Sequence, residues 1–167
     1  RFLAALPLHQ SPERTDGRRG FIHPQECQAT AEKAKVRLIL RDFEREGLTQ
    51  KRALLETLAA ELRELEPRAQ VQLTFTEQYR NMRYWLEHDM RPVELAKTAL
   101  RRAGLAPIVQ AIRGGTDGSR LTQRGLPTPN LFCGMHEVHS QREWVSLQDM
   151  TKAAETLVHL AQLWANR

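Results

Sequence analysis

The apolar positions of this chain change their period several times, and each change marks an element. In "AKVRLILRDF" (34–43), Val36, Leu38 and Leu40 alternate with Arg37, Ile39 and Arg41, which predicts a strand with one mainly apolar face. "FIHPQECQAT" (21–30) reads as the neighbouring strand. From Thr49 to Glu66 the period lengthens. Leu55, Leu58, Leu62 and Leu65 recur at three and four, the stripe of an amphipathic helix that Pro67 ends, and its Lys, Arg and Glu face predicts a helix covering one side of a sheet. "AQVQLTFTEQY" (69–79) returns to a period of two, with Val71, Leu73 and Phe75 set against Gln72, Thr74 and Thr76. This predicts a third, half-buried strand. Ahead of these, "RFLAALPL" reads as the last turns of an apolar helix stopped near Pro7, and His9 to Gly20 as a polar loop. A chain that opens on such turns without Met is expected to be a fragment of something longer.

A second unit begins near His88. Pro92 suits a first helical turn, Val93, Ala96, Leu100 and Ala103 form a stripe, and Gly104 stops it. "PIVQAI" (107–112) and "TPNLF" (128–132) read as short strands, the first of them buried, on either side of a short helix over 118–124. Ser146 and Asp149 have the spacing of a capping box, ahead of a helix whose stripe is Met150, Ala154, Leu157, Ala161 and Trp164. The expected class is therefore α/β. Residues 1–87 would form a small open-faced sheet with two helices, and 88–167 a separate layer of alternating helices and strands.

Composition narrows the partners. The 167 residues are 41% hydrophobic, enough for a core, and carry a formal net charge of +5. That charge suits anionic ligands, but it is scattered and contains no run of five like charges, so a nucleic-acid tail is not expected. "YRNMRYW" (79–85) interleaves basic and aromatic residues, as a single-strand binder does. An edge of a sheet explains it as well, and nucleic acid is not an expected partner. Cys27 and Cys133 lie far apart without CxxC spacing, which suits a reducing cytoplasm, and no apolar stretch approaches the roughly 20 residues of a membrane span.

Two stretches carry candidate chemistry. "IRGGTDGSR" sets Arg113 at a strand's end, two glycines after it, and Thr116 or Asp117 at the cap of the next helix. A planar guanidinium beside a helix start suits a carboxylate or phosphate. The plainer reading is a capped turn, with Asp117 as the cap and Arg113 in a surface ion pair. "GMHEVHS" gathers His136, Glu137 and His139 without the helical HExxH spacing. It offers a single metal ligand or a polar surface loop, because one loop rarely supplies a whole site.

Taken together, "IRGGTDGSRLTQRGLPTPNLFCGMHEVHSQREWVSLQDMTKAAETLVHLAQL" resembles the C-terminal part of the peptidase T family, tripeptide aminopeptidases among the co-catalytic zinc exopeptidases. "PERTDGRRGFIH", "RLILRDF" and "YRNMR" resemble, in order, the lid or dimerisation domain of the same enzymes. The resemblance implies a lid domain over 1–87, through which the chain would form a homodimer, and the end of a catalytic domain over 88–167. It also implies a substrate-binding role for Arg83, Arg113, Gly114, Gly115, Thr116, Asp117 and Asn130, and a zinc-ligand role for His139, with His136 left at the rim. "TDGRRG" departs from the family's "TEGYEG", which leaves any role there open. The family's other zinc ligands and its catalytic Glu precede the lid, so no catalytic residue is expected here, and the chain alone is expected to be inactive on tripeptides. The alternative is a truncated, non-catalytic self-association module.

Overall fold

The computed structural model describes residues 1–166. Its elements are β1 (Phe21–Ala29), β2 (Ala34–Arg41), α1 (Arg45–Leu65), α2 (Arg83–Leu86), α3 (Arg91–Arg102), α4 (Asp117–Gln123), β3 (Met135–His136), β4 (Trp144–Val145) and α5 (Leu147–Ala165). The class is α/β. The chain divides into a first unit, Arg1–Gln78 with Ala111–Arg113, and a second, Tyr79–Gln110 with Gly114–Arg167.

In the first unit β1 and β2 pair antiparallel from Phe21 opposite Arg41 to Ala29 opposite Ala34, as their alternation predicts. The register shifts between Pro24 and Glu26, where proline has no N–H to give the ladder. Thr30 closes the hairpin, its hydroxyl accepting from the backbone N–H of Glu32 and of Lys33. Helix α1 buries Lys51, Leu55 and Ala59, one side chain per turn. This row departs from the predicted leucine stripe: Leu58 and Leu62 are half-buried and Leu65 is exposed. The reason is Lys51, whose ammonium lies 2.6 Å from the Asp42 carboxylate with both side chains nearly buried, so that this ion pair turns the polar start of the helix inward.

Two predicted elements of this unit take other forms. The opening segment is a series of single 3-10 turns, Leu3–Ala5, Leu8–Gln10 and Pro12–Arg14, rather than the end of an α-helix, since Pro7 and Pro12 interrupt any longer ladder. Residues 69–79 form no strand. Their period of two survives as burial, with Val71, Leu73 and Phe75 half-buried and Gln72, Thr74 and Thr76 exposed. The segment lies along α1 instead of pairing: Arg63 donates twice to the Val71 carbonyl, at 2.6 and 3.2 Å, and the Arg52 guanidinium sits 4.6 Å from the Phe75 ring centre.

The second unit is built on α3 against α5. Ala96 and Ala99 on α3 and Ala103 at its C-cap are buried and small, which lets the helices approach closely, and Lys152 donates to the Ala103 carbonyl at 2.8 Å. Gly104, at φ +76°, ends α3 in the left-handed conformation that glycine adopts without strain. Helix α5 starts as the sequence predicts, for Ser146 Oγ accepts from Asp149 N at 3.0 Å. Ser146→Ala is expected to cost about 1 kcal/mol. Thermal unfolding of the two proteins side by side checks this, and an unchanged Tm would remove the cap from the account.

"PIVQAI" and "TPNLF" form no strands, and the only pairing here among the described residues is the two-residue ladder of β3 with β4. Ile108 and Val109 are 77% and 73% exposed, so the predicted burial is not met within this chain. A strand needs a partner to bond to, and neither segment has one here.

Candidate functional site

The "YRNMR" stretch leads into α2. The Asn81 side-chain oxygen accepts from Arg83 N at 3.1 Å at the start of the helical turn Arg83–Leu86, so this stretch is not the edge of a sheet. Within the second unit, this stretch meets the glycine-rich turn. A Cβ built on Gly115 would lie 2.2 Å from the Tyr79 ring, so close approach, and not a positive φ, is what this glycine provides. Gly118, buried in the first turn of α4, faces the Thr128 carbonyl, the Asn130 side-chain oxygen and the Met82 methyl, at 2.5, 3.1 and 3.5 Å from its built Cβ. Thr122, 2% exposed, completes the arrangement by accepting from Thr128 N at 2.9 Å.

Three stretches distant in sequence thus converge in one unit: Tyr79 and Met82, Gly115 and Gly118, Thr128 and Asn130. Of the expected substrate-binding residues, this brings Gly115 and Asn130 to one place. Thr116 and Asp117 adjoin them at the start of α4. Thr116 holds the N-cap position without a side-chain capping bond, and its Oγ1 is buried with no hydrogen-bond partner. Asp117 is exposed and is not the cap. Gly114 is exposed with nothing near its built Cβ. Arg83 is exposed and faces Glu87 at 3.8 Å, one turn along its own helix.

Arg113 belongs to the first unit, and its partners are there. Its two terminal nitrogens donate to the Thr15 carbonyl at 2.5 Å and the Thr15 hydroxyl at 2.6 Å, and its guanidinium lies 4.7 Å from the Phe21 ring centre. Instead of the surface ion pair of the plainer reading, it makes a clasp on the loop before β1. Its Nε is buried without a hydrogen-bond partner. Nearby, hydrogen bonding from Arg19 holds the Asp16 carboxyl below the usual carboxylate range.

The two histidines separate clearly. His136 pairs with Trp144 across β3 and β4, their rings stacked 4.2 Å apart, which makes it a packing residue of the hairpin. His139 stands exposed in the intervening loop at φ +67°, with Glu137 at +52°, a left-handed backbone that costs non-glycine residues roughly 1 kcal/mol each. Two side-chain contacts brace that backbone: Glu143 accepts from His139 N at 2.7 Å, and Arg142 faces Glu137 at 3.6 Å. Among the described residues, no group of three or more His, Cys, Asp and Glu side chains is placed to hold a metal ion. The donors among the described residues therefore do not make up a complete zinc site.

Tyr79, Met82, Gly118, Thr122 and Thr128 went unmarked as site-builders in the sequence. The signal available for Gly118 and Thr128 was their place within "GGTDG" and "GLPTPNLF"; for the hydroxyl of Thr122 there was none.

Comparison with known proteins places these stretches in context. The profile of Peptidase family M20/M25/M40 matches residues 9–163. A Peptidase T of Aeromonas hydrophila is 47% identical over 163 residues, covering 98% of this chain and 40% of that protein. A Peptidase T of Streptococcus thermophilus is 42% identical over 153 residues, covering 92% of this chain and 38% of its own length. The chain thus spans about 40% of the length of the curated relatives it matches. Among solved structures, a tripeptidase of Staphylococcus aureus has a TM-score of 0.74 at 15% identity, over 99% of this chain and 44% of that one. An aminopeptidase of Bacillus cereus has a TM-score of 0.59 at 20% identity, over 95% of this chain and 42% of that one. At such identities the likeness is one of fold.

Proposed function

This chain belongs to Peptidase family M20/M25/M40, and on that premise we propose that it is part of a zinc-dependent aminopeptidase that removes the N-terminal residue from tripeptides. The observation that carries the proposal is the convergence of Tyr79 and Met82, Gly115 and Gly118, and Thr128 and Asn130, which gathers the very stretches that resemble peptidase T. The relatives named Peptidase T support the same reading.

In this proposal Gly114, Gly115, Thr116, Asp117 and Asn130, with Arg83 and Arg113, serve substrate binding. Asn130 presents an amide and Arg83 an exposed guanidinium, a planar fork that matches the carboxylate of a short peptide; Arg113 carries the same group, here engaged with Thr15, and would serve once released from it. His139 is the zinc ligand. Its exposed ring and braced backbone suit a group that must meet a metal held mainly by other residues. A catalytic zinc takes about three protein ligands, and one His meets only part of that need. The isolated chain is accordingly inactive in this proposal, and general acid–base work belongs to residues outside it. The exposed thiols of Cys27 and Cys133 fit a reducing, cytoplasmic setting, and a homodimer through residues 1–87 remains part of the reading.

The test measures zinc uptake by equilibrium dialysis and tripeptide hydrolysis on the purified 167-residue chain. Weak uptake with no turnover is the expected result. Hydrolysis should appear when the chain is co-produced with the remaining part of the Aeromonas hydrophila relative. Robust turnover by the chain alone would overturn its assigned inactivity, and a reconstituted complex that leaves tripeptides intact would sink the peptidase reading itself.

A further inference from the structure

In the first unit a cavity of about 390 Å³ opens between the loop before β1 and the first turns of α1. Gln10, Thr15, Arg19, Gly20, Lys51 and Leu54 are among the residues that line it. Small-molecule pockets run from about 300 to 1,000 Å³, so this one suits a ligand at the small end of that range. Among the described residues of its wall there is no carboxylate, while Lys51 and Arg19 both carry positive charge. Such a wall favours an anionic group.

The donors of that wall are fixed in place. Lys51 is 9% exposed, and its ammonium donates to the Asp42 carboxylate at 2.6 Å and to the Gly47 carbonyl at 3.5 Å. Asp42 is itself lodged between Gly20 and Gly47, where a Cβ on either glycine would collide with its carboxylate. An ammonium carries three N–H donors, so these two contacts leave one for a ligand. Thr15, 8% exposed, is already engaged, its hydroxyl donating to the Ser11 carbonyl at 2.9 Å and accepting from Arg113 at 2.6 Å. Arg19 gives only part of its guanidinium fork to one Asp16 oxygen.

Gln10 sets the opposite need. Its side-chain oxygen is buried and has no hydrogen-bond partner, an unfavourable state for an acceptor unless a ligand brings the donor. A cationic donor answers it best, since charge-assisted hydrogen bonds are the stronger ones. Ammonium and carboxylate on one small molecule meet both needs, and half-buried Leu54 offers that molecule an apolar contact. We propose that this cavity binds a free amino acid, its ammonium donating to Gln10 Oε1 and its carboxylate accepting from Lys51 and Arg19. The inference does not rest on the peptidase reading, because every residue of the site lies in the first unit of this chain. The reaction proposed above releases such a molecule, so the site would read its product.

The test titrates the purified 167-residue chain with L-leucine and follows its backbone amides by NMR. Saturable shifts are expected at Gln10, Thr15, Gly20 and Lys51, with the amides of α3 and α5 unmoved. The analogues 4-methylpentanoate, which lacks the ammonium, and 3-methylbutylamine, which lacks the carboxylate, should each bind at least about tenfold more weakly. Gln10→Leu and Arg19→Gln should weaken leucine binding by a similar factor, whereas Glu61→Gln, on exposed α1 surface, leaves it unchanged. An absence of saturable shifts at these amides overturns the proposal. Either analogue binding as tightly as leucine does so too, because the cavity would then take a plain anion or a plain cation. So does a Gln10→Leu chain that keeps its β1 and β2 amide pattern and binds leucine unchanged. Should a variant fail to fold, the two analogues decide the matter on the unsubstituted chain. A completed enzyme that hydrolyses no tripeptide removes the peptidase reading and leaves this site standing.

Discussion

Arg113→Met is expected to lower the unfolding free energy of the first unit by about 2–3 kcal/mol, since hydrogen bonds from a charged donor contribute roughly 1.5–3 kcal/mol each and part of that is screened here. The substitution keeps the length of the side chain and removes the fork. It leaves the carbonyl and hydroxyl of Thr15, a residue only 8% exposed, without their donor, and takes the cation from the Phe21 ring. Arg113→Lys should restore less than half of the loss, because an ammonium cannot meet both oxygens in one plane. Urea unfolding followed at the β1 and β2 amides reads the effect. A change below about 0.5 kcal/mol, the ordinary range for a surface substitution, would mean that the clasp is not structural. A part for Arg113 in substrate binding would register elsewhere, as a rise in KM of the completed enzyme.

Gly118→Ala should cost about 1–3 kcal/mol, the usual range for forcing a methyl into filled space. The obstacle is backbone: the new Cβ would stand 2.5 Å from the carbonyl of Thr128, a residue whose N–H is held by the Thr122 hydroxyl, so relief requires moving backbone and not the end of a flexible side chain. Asn130 would be pushed from its place beside the start of α4, so substrate affinity of the completed enzyme should fall together with stability. Gly114→Ala is the stability control, with nothing within 4 Å of its built Cβ, and should leave Tm unchanged. Differential scanning of both variants separates them. Equal Tm values would show that close packing at Gly118 is not what holds Asn130.

Much of the fold was legible because it depends on neighbours in sequence. The β1–β2 hairpin follows from alternation, the start of α5 from Ser146 and Asp149, and the end of α3 from Gly104. Periodicity marks the face that wants cover, and it is silent about what provides it. Met150, Leu157 and Trp164 read as core and are exposed, whereas polar Thr156 is buried because its hydroxyl bonds to the carbonyl four residues back and needs no other partner. Likewise Val71, Leu73 and Phe75 keep their alternation in burial but lie along α1, an outcome decided by Arg63 and Arg52 and not by the segment itself. In the candidate site, "GGTDG" was legible as a close-approach turn, but the Tyr79 ring that makes Gly115 obligatory lies 36 positions earlier. His136 and His139 look equivalent as letters, and cross-strand stacking with Trp144 is what tells them apart.

The clasp of Arg113 on Thr15 joins residues 98 positions apart, and the chain between them leaves the first unit to build much of the second before coming back. During synthesis, then, residues 1–78 can emerge, pair β1 with β2 and lay down α1, yet Thr15 waits for its donor until Ala111–Arg113 clears the ribosome. At roughly 5–20 residues per second the wait lasts seconds. For that interval the loop before β1 keeps its own turns and the Arg18–Glu44 ion pair but lacks the Arg113 clasp, which leaves it more open to proteases and chaperones than in the finished fold.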